Sequence, residues 1–264
     1  MGRQRADITL VERGLFPSRE RARAAIMAGE VRVGGEPVRK AGEMVDRNAA
    51  FELAEVPEYV SRGGHKLAGA LDRFDIDVSG ARALDVGAST GGFTDCLLQR
   101  GASHVTAVDV GYGQLAWRLR QDERVRVLER TNIRSVDPDE MGARFDVIVV
   151  DVSFISLEKV LPHIEPLLAE EGDLVALVKP QFEAGKGRVG KKGVVRDAAV
   201  HEDVLRSAVR AAGERGLTVR GLTWSPLKGP EGNIEFWLWG ARGGDAGAPD
   251  PADVVAGAHA ELGE

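Results

Sequence analysis

The chain has 264 residues, of which 43% are hydrophobic and 29% charged, and its formal net charge is −6. Its single cysteine, Cys96, excludes an internal disulfide and a cysteine-based zinc cluster. No apolar run approaches the roughly 20 residues of a membrane-spanning helix, and no signal-peptide core follows the basic start of the chain. We therefore expect a cytoplasmic protein that acts away from membranes and requires no metal.

The distribution of charge is more informative than its total. Residues 1–40 contain nine Lys or Arg and five Asp or Glu, and residues 179–196 contain six basic residues and one acidic residue. Residues 242–264 contain one basic residue and five acidic residues, are rich in Gly, Ala and Pro and show no periodicity. We predict that this tail is disordered. The two basic segments indicate a polyanionic partner.

The first predicted domain covers residues 1–56 and contains two short helices and a hairpin. The first helix is predicted from the spacing of Ile8, Leu10, Val11 and Leu15. Ser18 is placed to cap a second helix, whose predicted apolar side is formed by Ala24, Ala25, Ile26 and Met27. Gly29 ends that helix, and a hairpin turns at Gly34-Gly35. These elements predict a small α+β domain, followed by a linker over residues 57–62.

Residues 63–241 alternate between strand-like and helical segments. Seven apolar runs predict strands, at Ala81–Val86, Val105–Asp109, Val125–Leu128, Phe145–Asp151, Leu174–Lys179, Leu217–Trp224 and Ile234–Trp239. Four segments between them predict helices, at Phe93–Arg100, Gln114–Arg120, Leu157–Leu168 and His201–Arg215. This alternation predicts a seven-stranded, doubly wound Rossmann-like α/β sheet whose last two strands are antiparallel neighbours.

A glycine-rich loop, Asp85–Phe93 (DVGASTGGF), follows the first of these strands. A dinucleotide-binding loop has Gly-x-Gly-x-x-Gly, but Ser89 occupies the middle glycine position, which argues against a dehydrogenase. A carboxylate beside the glycines suits the positively charged end of S-adenosylmethionine, and Asp109 at the end of the second strand suits its ribose hydroxyls. The proposed cofactor contacts are Asp85, Gly87, Ser89, Gly91, Gly92, Phe93, Asp109 and Asn132. The alternative is a tight turn with a capping Asp, and Asn132 is as compatible with a turn cap as with an adenine contact.

Four charged residues stand in otherwise apolar or turn contexts. Lys66 lies near the start of the second domain, Asp151 and Lys179 end the fourth and fifth strands, and Glu235 begins the last strand. The ends of those strands lie side by side in this topology, and buried charges are costly unless they are paired. The four residues are therefore predicted to converge at one catalytic site, although each alone is equally compatible with a surface lysine or strand-end carboxylate.

This set suits methylation of a ribose hydroxyl. The hydroxyl has a high pKa, so its proton must be removed, or the developing alkoxide stabilised, before it attacks the methyl group. Lys179 is the predicted base, Lys66 the neighbouring cation, and Asp151 and Glu235 are predicted to orient the lysines and the ribose.

The same residues resemble those of the FtsJ-type 2′-O-methyltransferases. Four blocks are similar to the TlyA subfamily, at Ser61–Leu67 (SRGGHKL), Asp151–Ser156 (DVSFIS), Val178–Glu183 (VKPQFE) and Gly193–Asp197 (GVVRD). The first domain resembles an S4-type RNA-binding domain through Leu15, Ser18-Arg19, Ala25-Ile26 and the Gly29–Val33 segment. The resemblance covers roughly residues 3 to 240.

The resemblance implies methylation of a cytidine ribose in ribosomal RNA of the small subunit, the large subunit or both, with rRNA or ribosomal subunits as partners. The candidate RNA contacts are Arg3, Arg5, Arg19, Arg21, Arg23, Lys40 and Arg62. Three other functions stay open: an RNA-binding factor without chemistry, a methyltransferase acting on a protein or small molecule, and the membrane lysis suggested by the subfamily's haemolysin label. The paired lysines argue against the first, the basic helix against the second, and the lack of a spanning or strongly amphipathic segment against the third.

Overall fold

A computed structural model describes residues 2–53, 57–142, 144–185 and 187–263. The chain forms two compact units, Met1–Glu58 and Tyr59–Glu264. Val56, the last residue of the predicted first domain, lies outside the described residues. The first helix of the second unit begins at Arg62, the last residue of the predicted linker.

The first unit packs two helices against two small antiparallel sheets. Its elements are β1 (Arg3–Arg5), α1 (Ala6–Glu12), α2 (Arg19–Met27), β2 (Val31–Val33), β3 (Glu36–Pro37), β4 (Met44–Asp46) and β5 (Phe51–Leu53). β1 pairs with β4, and β2 lies between β3 and β5. As predicted, Ser18 caps α2, because its hydroxyl accepts a hydrogen bond from Arg21 N at 3.3 Å.

The predicted apolar side of α2 is partly wrong. Ala25 and Ile26 are buried, but Ala24 and Met27 are exposed, and Ala22 takes the third core position. Residues 22, 25 and 26 share one face of a helix with 3.6 residues per turn, whereas four consecutive residues do not.

The second unit contains the larger sheet. Its elements are α3 (Arg62–Phe74), β6 (Arg82–Val86), α4 (Gly92–Gln99), β7 (His104–Val108), α5 (Trp117–Arg120), β8 (Val125–Leu128), β9 (Phe145–Val150), α6 (Leu157–Ile164), β10 (Leu168–Val178), α7 (Pro180–Glu183), α8 (Ala198–Gly213), β11 (Leu217–Trp224), β12 (Phe236–Arg242) and α9 (Pro251–Leu262).

The sheet has seven strands in the order β11-β12-β10-β9-β6-β7-β8. The β10-β9, β9-β6, β6-β7 and β7-β8 pairs are parallel, and β12 is antiparallel to both of its neighbours. The predicted fold class, strand number and antiparallel final pair are confirmed. The carboxyl ends of β6, β9 and β10 consequently lie next to one another, on both sides of the point where strand order reverses.

Side chains alternate between the two faces of this sheet. In β9, Val147 and Val149 pack with α3 and α4, whereas Ile148 and Val150 pack with α6, α8 and α9. This alternation follows from the two-residue repeat of a strand. Both faces are apolar, so the strands read as continuous hydrophobic runs.

The prediction that residues 242–264 are disordered is wrong. Pro251–Leu262 form α9, which Asp250 caps by accepting a hydrogen bond from Ala252 N at 2.9 Å. Val254 and Val255 are buried in the core beside α8 and β11. This short helix docks through three buried apolar residues, Val254, Val255 and Ala258. The surrounding sequence is rich in Gly and Ala, so these three residues give no clear helical pattern.

This docking predicts that the tail contributes to stability. Val254→Asp should lower the free energy of unfolding by about 3–5 kcal/mol, because it places an unpaired charge in the core. Ala256→Asp, at an exposed position of the same helix, is the matched control and should change little. Urea denaturation of both variants tests this; equal stability of the two would favour an undocked tail.

Candidate active site

The glycine loop turns sharply between β6 and α4 and passes close to the end of β9. Gly87 has φ 90°, and a Cβ at this position would overlap the carbonyl oxygen of Asp151. Only glycine satisfies both the left-handed conformation and the close approach. The loop backbone therefore lies directly against the segment that follows β9.

Two cavities lie on either side of this loop. The first, of about 280 Å³, is lined by both predicted lysines and is called the lysine cavity here. The second, of about 650 Å³, is lined by Asp109 and Asn132 and is called the Asp109 cavity. Gly87, Ser89 and Asp151 line both. The arrangement suits one elongated ligand with different chemistry at its two ends.

The four predicted catalytic residues all line the lysine cavity, where they form two ion pairs. Lys66, in the first turns of α3, places Nζ 2.6 Å from Glu235 Oε2. Lys179, directly after β10, pairs through Nζ with Asp151 Oδ1 and also donates to Ser153 Oγ at 3.2 Å. All four charges are thus compensated in a largely buried environment.

Glu235 is held from two further sides. Its Oε1 accepts a hydrogen bond from Gln181 Nε2 at 3.4 Å, and the side chain is fully buried. A Cβ at Gly229 would overlap the same carboxylate, so the chain before β12 approaches it closely. Glu235 therefore has a single well-defined position from which to bind Lys66.

The Asp109 cavity is shaped by backbone hydrogen bonds. Asp109 Oδ2 accepts from Ser89 N at 2.8 Å, and its Oδ1 accepts from Gly111 N at 2.6 Å. Each carboxylate oxygen keeps a second acceptor site, so the group can still bind hydroxyls. Asn132 uses Oδ1 to cap the following turn, accepting from Arg134 N at 3.1 Å.

Two predicted cofactor residues do not line either cavity. Asp85 is fully buried, and its Oδ2 accepts from Thr94 N at 2.9 Å and from Thr94 Oγ1 at 2.7 Å, which anchors the start of α4. Gly91 precedes α4 with φ 96° and packs against Leu115 and Leu119. Gly92 and Phe93 do line the lysine cavity.

Family comparisons agree with this geometry. The FtsJ-like methyltransferase model matches residues 59–242, and the S4 domain model matches residues 4–50. This chain belongs to the FtsJ-like methyltransferase family. The resemblance stated from the sequence motifs is confirmed for both parts of the chain.

Individual relatives cover nearly the whole chain. The 16S/23S rRNA (cytidine-2′-O)-methyltransferase TlyA of Mycobacterium tuberculosis is 52% identical over 90% of this chain and 89% of that protein. Hemolysin A of Brachyspira hyodysenteriae is 41% identical over 88% of this chain and 97% of that protein. A solved structure provisionally named a hemolysin, from Streptococcus thermophilus, has TM-score 0.74 and 44% identity, covering 99% of this chain and 97% of that chain.

The predicted RNA contacts of this FtsJ-like methyltransferase fall in both units. In the first unit, the fully buried carboxylate of Asp7 binds Arg5 at 3.0 Å and Arg19 at 3.1 Å, and the arginines hold the pKa of Asp7 at about 2. Both arginines remain about half exposed. Arg3, Arg21, Arg23 and Lys40 are also exposed on this unit. Arg62, in the second unit, lines the lysine cavity and donates to Lys228 O at 2.8 Å.

Other chemistry finds no support in the described residues. They contain no group of three or more His, Cys, Asp or Glu that could hold a metal ion, and none of their helices has the length and hydropathy needed to span a bilayer. Burial raises the pKa of the Cys96 thiol to about 11, so it stays protonated and is a poor nucleophile.

Sequence reasoning did not single out Ser153, Gln181 or Gly229 as functional. Ser153 carried a signal, because it is a polar residue two positions after the strand-end Asp151. Gln181 and Gly229 gave none, because their significance depends on contact with Glu235, which is distant in sequence.

Burial of Asp85 predicts a pH-dependent stability. Burial raises the pKa of Asp85 from 3.8 to about 7, so the folded protein takes up a proton that the unfolded chain releases near pH 4. The free energy of unfolding should therefore fall by about 1.4 kcal/mol for each pH unit between about pH 4 and about pH 7. Thermal melts of wild type and Asp85→Asn at pH 5 and pH 8 test this. The melting temperature of Asp85→Asn relative to wild type should be higher at pH 8 than at pH 5, and an unchanged difference would contradict the raised pKa.

Proposed function

We propose that this FtsJ-like methyltransferase transfers the methyl group of S-adenosylmethionine to the 2′-hydroxyl of a cytidine ribose in ribosomal RNA of the small subunit, the large subunit or both. The observation that carries the proposal is the meeting of two lysine–carboxylate pairs at one cavity beside the glycine loop. The printed activity of the M. tuberculosis relative supports the substrate.

The residues present fit S-adenosylmethionine. The Asp109 cavity has the size and acceptor chemistry for the adenosine part, with Asp109 for the ribose hydroxyls and Asn132 at the adenine end. The lysine cavity continues past Gly87 and Ser89 and is suited to the methionine part. Asp85 and Gly91 line neither cavity and would act indirectly, by fixing the loop. The Oδ1 atom of Asp85 is buried without a hydrogen-bond partner.

When bound, the cofactor supplies a methyl group already activated by its sulfonium, so the protein must align the nucleophile and manage one proton. Lys179 is the residue we assign to that proton: once its ammonium has released a proton to solvent, the neutral amine accepts a hydrogen bond from the ribose hydroxyl and takes the hydroxyl proton as the oxygen attacks. Asp151 and Ser153 hold this amine in place. Lys66, fixed by Glu235, stabilises negative charge on the oxygen.

Lys179→Ala should reduce methyl transfer to rRNA by a factor of about 10²–10⁴, the range for a positioned acid–base group. Affinity for cofactor and RNA should stay near wild type, because the loss belongs to the transition state. Single-turnover kinetics with radiolabelled cofactor, together with calorimetry, measure both quantities.

Lys179→Arg separates a base from a fixed charge, because guanidinium stays protonated. We expect it to be as inactive as Lys179→Ala. Wild-type activity in Lys179→Arg would remove the base assignment and leave an electrostatic role. Lys66→Ala should lose less activity than Lys179→Ala.

The first unit is proposed to bind the RNA through its exposed arginines. Replacing Arg19, Arg21 and Arg23 by Ala should weaken rRNA binding, and each lost phosphate contact should reduce the slope of log K against log salt by about 0.7–0.9. Arg206→Ala is the control, because that exposed arginine is already paired with Glu202 and Asp250. Filter binding across a salt series measures the effect. An unchanged slope in the triple variant would argue against phosphate contacts there.

The overall proposal is tested by mapping ribose methylation in rRNA from cells with and without the protein. Loss of a 2′-O-methylcytidine that returns with wild type but not with Lys179→Ala would support it. An unchanged methylation map would leave the RNA-binding or membrane functions to be examined, the latter by leakage from liposomes.

A further inference from the structure

We propose that Glu183 is a positioning residue that keeps the chain segments carrying Asp151 and Lys179 in register. The inference rests on the proposed function, since it concerns how the methyl-transfer site is assembled. Glu183 lines neither the lysine cavity nor the Asp109 cavity, nor a third cavity of about 330 Å³ lined by Ser153, Lys179 and Phe182, so its effect would pass through other residues.

The catalytic segments leave the sheet from neighbouring parallel strands. After β9, residues 151–156 carry Asp151 and Ser153 and lead into α6; after β10, Lys179 leads into the short α7. The β9–β10 pairing ends at residues 150 and 176, and the last backbone contacts with other strands are Asp151 N to Val86 O and the pairing of Val178 with Phe236. Beyond those points their relative position depends on side-chain contacts.

Three such contacts join the segments. The first is the pairing of Lys179 with Asp151 and Ser153. The second is the ring contact between Phe154 and Phe182, with centroids 4.9 Å apart. The third is a hydrogen bond from Leu157 N to Glu183 Oε1, at 2.7 Å. Phe154 is 90% exposed, so its ring contact constrains little, whereas the Leu157–Glu183 hydrogen bond is partly buried.

This link replaces the usual local cap of α6. Ser156 occupies the N-cap position, yet its side chain makes no capping hydrogen bond. The first N–H of α6 is satisfied instead by a carboxylate that lies 26 residues later in the chain. A local cap would orient only α6. A cap contributed by α7 also fixes the start of α6 relative to Lys179.

A carboxylate at this position is unfavourable for stability alone. Burial, with a smaller contribution from Glu158 on α6, raises the pKa of Glu183 to about 7. A neutral glutamine could accept the same hydrogen bond without that cost. The contact with Leu157 N therefore requires a hydrogen-bond acceptor at this position rather than a charge. We infer that precise placement of the two segments accounts for this residue.

The test compares Glu183→Ala, Glu183→Gln and Leu161→Ala. Glu183→Ala should lower kcat for rRNA methylation by about 10–100-fold, as expected for a misplacement of about 1 Å, with little change in KM for rRNA. Glu183→Gln should retain near wild-type kcat, because it keeps the acceptor, and should be the more stable protein at pH 8. Leu161→Ala removes a buried side chain of α6 that lines no described cavity, and it should destabilise the protein without lowering kcat below its melting range.

The outcomes are distinguishable. Absence of rRNA methylation by the wild type would overturn the proposed function itself. Methylation by Glu183→Ala at the wild-type kcat would overturn only the role of Glu183. An equal loss of kcat in Leu161→Ala at matched destabilisation would reduce Glu183 to a general structural residue and so overturn its positioning role. Retained kcat in Glu183→Gln together with loss in Glu183→Ala supports the proposal.

Discussion

The need to compensate buried charge is the constraint on which the site depends. Two lysines and two carboxylates lie where β9, β10 and β12 meet the start of α3, and a buried charge that loses its partner is strongly destabilising. The four residues come from four separate segments. The Lys179–Asp151 pair forms between the neighbouring ends of β9 and β10, whereas the Lys66–Glu235 pair also requires that α3 packs on the sheet and that β12 inserts antiparallel beside β10. The fold therefore brings the four charged residues together, and their pairing in turn compensates the charges that the fold buries.

The site also requires that the backbone at two glycines lies very close to the residues of the ion pairs. At Gly87 the loop touches the carbonyl of Asp151, and at Gly229 the chain touches the carboxylate of Glu235. Any side chain at either position would push apart the partners of the two ion pairs. The glycines thus protect the spacing of the lysine cavity from opposite sides, one next to each carboxylate.

The sequence predicts the central sheet well because its strands are apolar on both faces and end in polar residues. Lys179 and Asp151 could be recognised for this reason, and the order of the strands brings them together. Less could be predicted where a short segment depends on distant contacts. The helix at Pro251–Leu262 docks through a few apolar residues within a weakly hydrophobic sequence. The inward orientation of Asp85 depends on Thr94 accommodating its carboxylate, which spacing alone does not reveal.

Five carboxylates of the protein lie in three different environments, which differ in the group that compensates the negative charge. Asp7 is paired with Arg5 and Arg19, which keep its pKa at about 2, and this group of three residues has one positive charge in excess. Asp85 and Glu183 bind N–H or hydroxyl groups without a cation, and burial raises the pKa of each to about 7. The carboxylates in the lysine cavity are matched one to one with lysines. Arg62 and Lys228 also line that cavity, so its lining contains four basic and two acidic residues, and the formal charge of +2 attracts a polyanion. Long-range attraction of RNA must come from basic residues outside the two ion pairs, those of residues 1–40 and 179–196 among them, while the paired charges act at short range, where they set orientation.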